Sequence, residues 1–271
     1  MKKILVFAIA AIISVPSMFA QGPETLLLPG SAASTAIGGI SQAVPDHDST
    51  TFGINAGYMM WAPKEMNSTL IGANVWFAAS ESLEININGG MLSGQPSEIS
   101  GITGEWSGKS FTPKDIFAKV GALYKLSSGL AFGAKVNFVK SSLAETGLST
   151  FGADVCVQYR KNNIKAEFAA CNLASQVALC KADAAYTISG FTASAELDFL
   201  FAGGLMAGIG AEYSIADIVS LRAGYHYGEA IPSFLSAGLG FKFAGINLDA
   251  AYIIYDTPLA GTISATLGYS F

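Results

Sequence analysis

One pattern governs what this chain can become. Apolar residues recur at every second position, in run after run, from Thr51 to the end of the sequence. Successive side chains on a strand point to opposite sides of a sheet, so such alternation gives each strand one apolar and one polar face. The apolar set reads Phe52, Ile54, Ala56 and Tyr58, then Ile71, Ala73, Val75 and Phe77, then Leu83, Ile85 and Ile87. It resumes over residues 116–124, 130–138, 151–159, 164–170, 182–188, 191–199, 205–213, 219–227, 235–243, 248–254 and 263–271. The result is about fourteen runs of roughly ten residues, the length that a tilted membrane strand needs.

The two faces differ in kind. Nearly all the strand charges fall on the second face, among them Glu84, Lys119, Lys125, Lys135, Asp154, Arg160, Glu167, Lys181, Asp183, Glu196, Asp198, Glu212, Arg222 and Asp249. A soluble sandwich would turn these charges to water and the apolar set inward. Aromatics toward the ends of the apolar runs, such as Tyr124, Phe138, Tyr159, Phe199 and Phe243, instead suit the two interfacial girdles of a membrane barrel. The chain is 51% hydrophobic and 13% charged, against about 25% charged in soluble domains. After the first residues no stretch approaches the ~20 apolar residues of a spanning helix. Together these predict an all-β outer-membrane barrel of about fourteen antiparallel strands.

Connection lengths alternate in the same sense. The turns after even strands, such as Lys161-Asn162-Asn163, Ser189-Gly190 and Ala244-Gly245, are short. The odd connections, at residues 92–112, 140–149, 172–179, 228–233 and 256–261, are mostly longer. Ala202-Gly203-Gly204 is a short exception. Short periplasmic turns and longer outer loops are the barrel rule.

The sequence divides into three parts. Residues 1–20 read as a secretory signal peptide: Lys2 and Lys3, the apolar run Ile4 to Ile13, a break at Pro16, and a small residue, Ala20, at the cut. Residues 21–50 are rich in Gly, Ala and Ser and have no clear period. Residues 51–271 form the barrel. The polar face carries many glycines, including Gly53, Gly57, Gly208, Gly210, Gly224 and Gly238, which allow another backbone to approach. Residues 21–50 are the candidate for that backbone, giving a plugged barrel; a loose periplasmic tail is the alternative.

Little in the chain carries chemistry. There is no glycine-rich phosphate loop, no HExxH and no CxxC. Asp46-His47-Asp48 flanks one histidine with two carboxylates, which in a loop are usually solvated. His226 falls on the charged face and reads as a hydrogen-bonded lumen residue. Ser220, Arg222 and His226 share a face, but no acid completes a triad. The three cysteines cannot all pair within one chain, and Cys156 and Cys171 sit diagonally on neighbouring strands, too far apart for a disulfide. The reading is of a non-enzyme with no cofactor and no metal. A net charge of −5 argues against nucleic acid as a partner. In the longest outer connection, Trp106 and Phe111 stand amid Ser and Gly, as partner-contact candidates or interfacial anchors.

The segment SLRAGYHYGEAIPSFLSAGLGFKFAGINLDAAYIIYDTPLAGTISATLGYSF, with YKLSSGLAFGAKVNFVKSSL and FGADVCVQYR before it, resembles the PorV/PorQ family, PorV more closely. LPGSAASTAIGGISQAVPDHDS is similar to that family's N-terminal segment, at Ala36 to Gly39 and Asp46 to Asp48. The chain departs from the family in lacking a proline over Phe52 to Gly57 and in its trimmed outer loops. The resemblance implies a fourteen-stranded barrel related to the FadL fatty-acid transporters. It also implies a non-catalytic component of type IX secretion in the outer membrane of Bacteroidota. There it would bind or shuttle cargo, with outer-membrane lipid, the translocon, the attachment complex and cargo signal domains as partners. The final Tyr269 and Phe271, by resemblance to outer-membrane barrels, are the signal that the barrel-assembly machinery reads. The alternative functions are a FadL-like carrier of hydrophobic small molecules and a structural barrel in another envelope complex. A charged lumen favours the partner-binding reading over the carrier.

Overall fold

A computed structural model describes residues 24–47, 51–62, 67–100, 106–143, 146–254 and 259–271. The signal-peptide reading of residues 1–20 lies outside these. Fourteen strands close into one antiparallel barrel. They are β1 (Phe52–Trp61), β2 (Ser68–Ser80), β3 (Leu83–Ser93), β6 (Lys114–Lys125), β7 (Leu130–Leu143), β8 (Thr146–Lys161) and β9 (Ile164–Leu173). The circuit continues with β10 (Leu179–Ile188), β11 (Phe191–Leu200), β12 (Leu205–Ile215), β13 (Val219–Gly228), β14 (Phe234–Phe243), β15 (Ile246–Ile253) and β16 (Ile263–Ser270). Each strand overlaps one of the alternating runs. Two further strands, β4 (Ser97–Ser100) and β5 (Trp106–Phe111), pair as a separate sheet between β3 and β6.

The alternation sets which face looks out. Ile54, Tyr58, Ile71, Phe132, Val136, Phe168, Leu197, Ile209, Leu239 and Leu267 all point away from the lumen and are exposed. So wide a band of exposed apolar side chains calls for an apolar surrounding rather than water. The opposite parity is buried: Glu84, Asn86, Asn137, Asp154, Gln158, Glu167, Lys181 and Asp198 lie inside.

One end of the barrel is closed by tight turns. Ser189–Gly190 and Ala244–Gly245 hold positive φ at both positions, which matches the right-handed twist of the strands they join. The other end carries the longer connections. Two expected loops differ there. Residues 140–143 and 146–149 continue as paired strand, with Lys140 opposite Ser149 and Ser141 opposite Leu148. Nothing in Lys140–Leu143 or Leu148–Thr150 breaks a strand, so the hairpin runs on past its neighbour β9. Residues 92–112 contain the β4–β5 hairpin, where Ser97 pairs with Phe111 and Ser100 with Trp106.

The seam of the barrel is β1 on β16, from Gly53 opposite Ser270 to Met60 opposite Ile263. The Phe271 carbonyl accepts hydrogen bonds from the amides of Thr51 and Phe52, and the Phe271 amide donates to Phe52 O at 3.0 Å. The rings of Phe52 and Phe271 meet at 5.5 Å between centroids. Cys156, Cys171 and Cys180 are free thiols.

Candidate functional site: a plugged lumen

Residues 24–47 fold inside the barrel and travel around its wall. Near the loop end, Thr25 Oγ1 donates to Asp115 Oδ2 on β6. A short helix, α1 (Ala32–Ala36), follows, with Ser31 as its N-cap accepting from the Ser34 amide at 3.1 Å. It lies on β14, β15 and β16: the Ala32 amide donates to Thr266 Oγ1 at 3.0 Å, and Ser236 Oγ donates to Ala36 O at 3.1 Å. Ile37 and Gly38 then cross β12 and β13 backbone to backbone. A Cβ on Gly224 would fall 2.1 Å from the Ile37 carbonyl carbon, and one on Gly210 would fall 2.6 Å from the Ile37 oxygen. Only glycine leaves room there.

From Ser41 to Val44 the chain is gripped by side chains of five successive strands, β11 to β7. Glu196 accepts from the Ser41 amide at 2.9 Å, and Lys181 donates to the Ser41 carbonyl. Glu167 accepts from the Ala43 amide at 2.7 Å, while Lys135 donates to Ala43 O and Gln158 to Val44 O. These backbone groups have left water without joining a helix or sheet, so each needs a partner. The partners are themselves tied together. Lys181 pairs with Glu196 at 2.7 Å, Lys135 with Asp154 at 2.8 Å, and Gln158 donates to Glu167 at 2.6 Å.

The last plug residues anchor at the turn end. Asp46 pairs with Lys125 and Arg160. His47 bonds Glu84 through Nδ1 and stacks on Trp76, with centroids 4.0 Å apart and planes 10° from parallel. The expectation of a solvated Asp46 and His47 is thereby corrected: both are bound into the wall. Among the described residues no cluster of three or more His, Cys, Asp or Glu is arranged to hold a metal.

The lumen is layered. Toward the loop end its buried inward residues are apolar, including Met59, Trp61, Leu179, Leu200, Met206, Phe234 and Ile253, and Leu27, Leu28 and Leu70 pack against them. Below lie the charges. A cavity of about 620 Å³ spans the boundary, with Leu26, Leu27, Leu28, Met206 and Phe234 on one side and Asn74, Asn86, Lys119, Asp154 and Lys181 on the other. On the arc β1, β2, β3 and β6 a polar rung crosses the wall at one level: Asn55 opposite Asn74, Asn74 opposite Asn88, and Asn88 opposite Lys119.

The residues singled out in the sequence are dispersed. Trp106 and Phe111 lie on β5, outside the barrel. Tyr269 is exposed on the outer face near Phe271, with ring centroids 6.1 Å apart at the seam. His226 is buried in the lumen, stacks on Phe234 at 4.9 Å and hydrogen-bonds the backbone of Gly38, as expected, while its Nε2 has no partner. Arg222 is held by Glu212 and Asp249, and Ser220 by Ser214, so no triad forms with His226. The apolar layer was missed. Its signal is present in the sequence: inward positions at the loop ends of strands, such as Met59, Trp61, Leu70 and Leu200, are apolar while those lower down are charged.

A closed fourteen-strand barrel with an N-terminal segment folded into its lumen defines the architecture. Solved barrel structures are similar to this chain in fold. The toluene transporter TbuX of Ralstonia pickettii aligns with a TM-score of 0.64 and 12% identity, over 90% of this chain and 98% of that one. The toluene transporter TodX of Pseudomonas putida aligns with a TM-score of 0.61 and 15% identity, over 90% and 98%. No family model matches the chain, and no curated protein matches it.

Proposed function

We propose that this protein is an outer-membrane barrel that carries small hydrophobic molecules through a plugged lumen, in the manner of the FadL-like transporters. The observation that carries this reading is the cavity of about 620 Å³ bounded on one side by an apolar layer and closed by the chain's own N-terminal segment. Ligand sites of this kind are concave, mostly apolar and edged by a few polar groups. The outward apolar face supports a bilayer as the surrounding medium, and the similar solved structures are titled as toluene transporters. The sequence expectation that a charged lumen disfavours a carrier does not carry over. Lys135, Glu167, Lys181 and Glu196 are engaged with the plug backbone, so their charge says little about what passes.

The test is uptake of a monoaromatic hydrocarbon into proteoliposomes. Uptake above protein-free vesicles is expected, and Phe234→Glu, which puts a charge in the apolar layer, is expected to abolish it. Uptake at the protein-free rate would overturn the reading.

The β4–β5 hairpin favours a second reading, partner binding at the loop end as in the PorV-like secretion components. Trp106 and Phe111 would be its contacts. Co-purification of an envelope protein in mild detergent, lost in the double variant Trp106→Ala, Phe111→Ala, would support it.

A further inference from the structure

We infer that the arc of the wall formed by β1, β2, β3 and β6 is a binding site for a hydroxylated organic acid: one negative charge and at least one hydroxyl on a small apolar body. This rests on the transport reading above and narrows its substrate class.

Charge points to the site first. Lys125, Lys135, Lys181 and Arg222 each hold a carboxylate within the lumen. Lys119 makes no ion pair among the described residues, and its Nζ lies 5.4 Å from the centre of the Phe117 ring. It faces the cavity. A lumen cation with no ion pair can be matched by an anion brought in from outside.

Three unmet hydrogen-bonding atoms lie at the same place, while others, among them Asp183 Oδ2 and Asp198 Oδ1, lie on the opposite arc. Asn74 Oδ1, Trp76 Nε1 and Asn86 Nδ2 have no partner, although the three residues are only 9%, 5% and 4% exposed. They occupy two adjacent rungs, with Asn74 opposite Asn88 and Trp76 opposite Asn86. An orphaned buried polar group costs about 1–3 kcal/mol, so a group of three in one patch calls for a ligand or water to satisfy it. No hydrogen bond from the plug reaches them. Among the described residues the plug meets the arc above, at Asp115, and below, at Glu84 and Lys125, with the His47 ring stacked on Trp76.

The chemistry of the side chains selects the ligand. Lys119 offers a positive charge. The carboxamides of Asn55, Asn74, Asn86 and Asn88 each donate and accept, as a hydroxyl does. A bare hydrocarbon would leave all of them unmet, and an acid with only an alkyl tail would engage Lys119 and leave the asparagines. Leu28 and Phe117, which line a small adjoining pocket, provide the surface for the apolar body.

The experiment is calorimetric binding to the full-length barrel in detergent with three probes: 4-hydroxybenzoate, its neutral counterpart 4-hydroxybenzyl alcohol, and toluene. The acid is expected to bind at least about tenfold tighter than the alcohol, the effect of one charge-assisted hydrogen bond. Lys119→Met should bring that ratio close to one. Asn74→Leu should weaken both hydroxylated probes. Heat-modifiable migration verifies that each variant is folded. Toluene binding without preference for the acid, or full preference retained in Lys119→Met, would overturn this inference alone. Binding of none of the three would overturn the transport reading with it.

Discussion

The two arcs of the lumen wall are built from the same kinds of residue and used differently. From β7 to β16 the polar side chains hold the plug, and the backbone of Ser41 to Val44 is satisfied by residues far away in sequence. From β1 to β6, among the described residues, the polar side chains at mid-height hold nothing from the plug, which reaches this arc at Asp115, Glu84 and Lys125. Polarity inside a barrel is therefore not one signal. On one arc it anchors a segment of the chain; on the other it remains available.

The difference can be broken at glycine first. A methyl group at Gly224 would sit 2.1 Å from the Ile37 backbone, whereas one at Gly57 would meet nothing closer than Thr266 Oγ1 at 3.6 Å. Gly224→Ala is expected to expel the plug, seen as protease cleavage within residues 24–47 of a barrel that still migrates as folded. Gly57→Ala should leave the cleavage pattern unchanged.

Lysine gives the next contrast. Lys135→Met strips the cation from buried Asp154 and should cost about 3–5 kcal/mol, the usual penalty for breaking a buried pair from one side. A lowered thermal midpoint would register it. Lys119→Met removes a charge that has no ion-pair partner among the described residues and should leave the midpoint equal or higher.

At the seam, removing Phe271 deletes the carbonyl that accepts from Thr51 and Phe52 and the ring that meets Phe52. An unclosed edge in lipid costs several kcal/mol for each unpaired group. Lower levels of folded barrel in the membrane are expected, measured by heat-modifiable migration; normal levels would speak against a role in assembly. The smallest effect is at the turn end. His47→Ala loses the Glu84 bond and the Trp76 stack, about 1–2 kcal/mol. It should loosen only the last plug residues and shift the emission of Trp76.

Much of this was legible in the alternating pattern. Period two located all fourteen barrel strands, assigned Ile54, Phe132 or Leu239 to the outside, and placed Glu84, Asp154 and Lys181 inside. The glycines at 210 and 224 signalled a close backbone. What the pattern could not show was which charges were already engaged. The partners of Ser41, Ala43 and Val44 lie 92 to 155 positions away, on strands whose height in the barrel depends on register and closure. The layering was hidden for a related reason. Met59, Leu70, Met206 and Phe234 form one layer only once antiparallel strands are stacked, because alternate strands contribute their last residues and their first. The β7–β8 extension shows a third limit: polar residues such as Lys140, Ser141 and Ser149 resemble a loop in composition but pair as strand.

The central claim is that the lumen is closed by residues 24–47 and otherwise offers a path. Single-channel conductance in planar bilayers addresses it directly, comparing the full chain with a variant lacking those residues. The account predicts a quiet full-length barrel and a steady, open conductance in the deletion variant. Equal conductance in the two, whether both open or both silent, would contradict it.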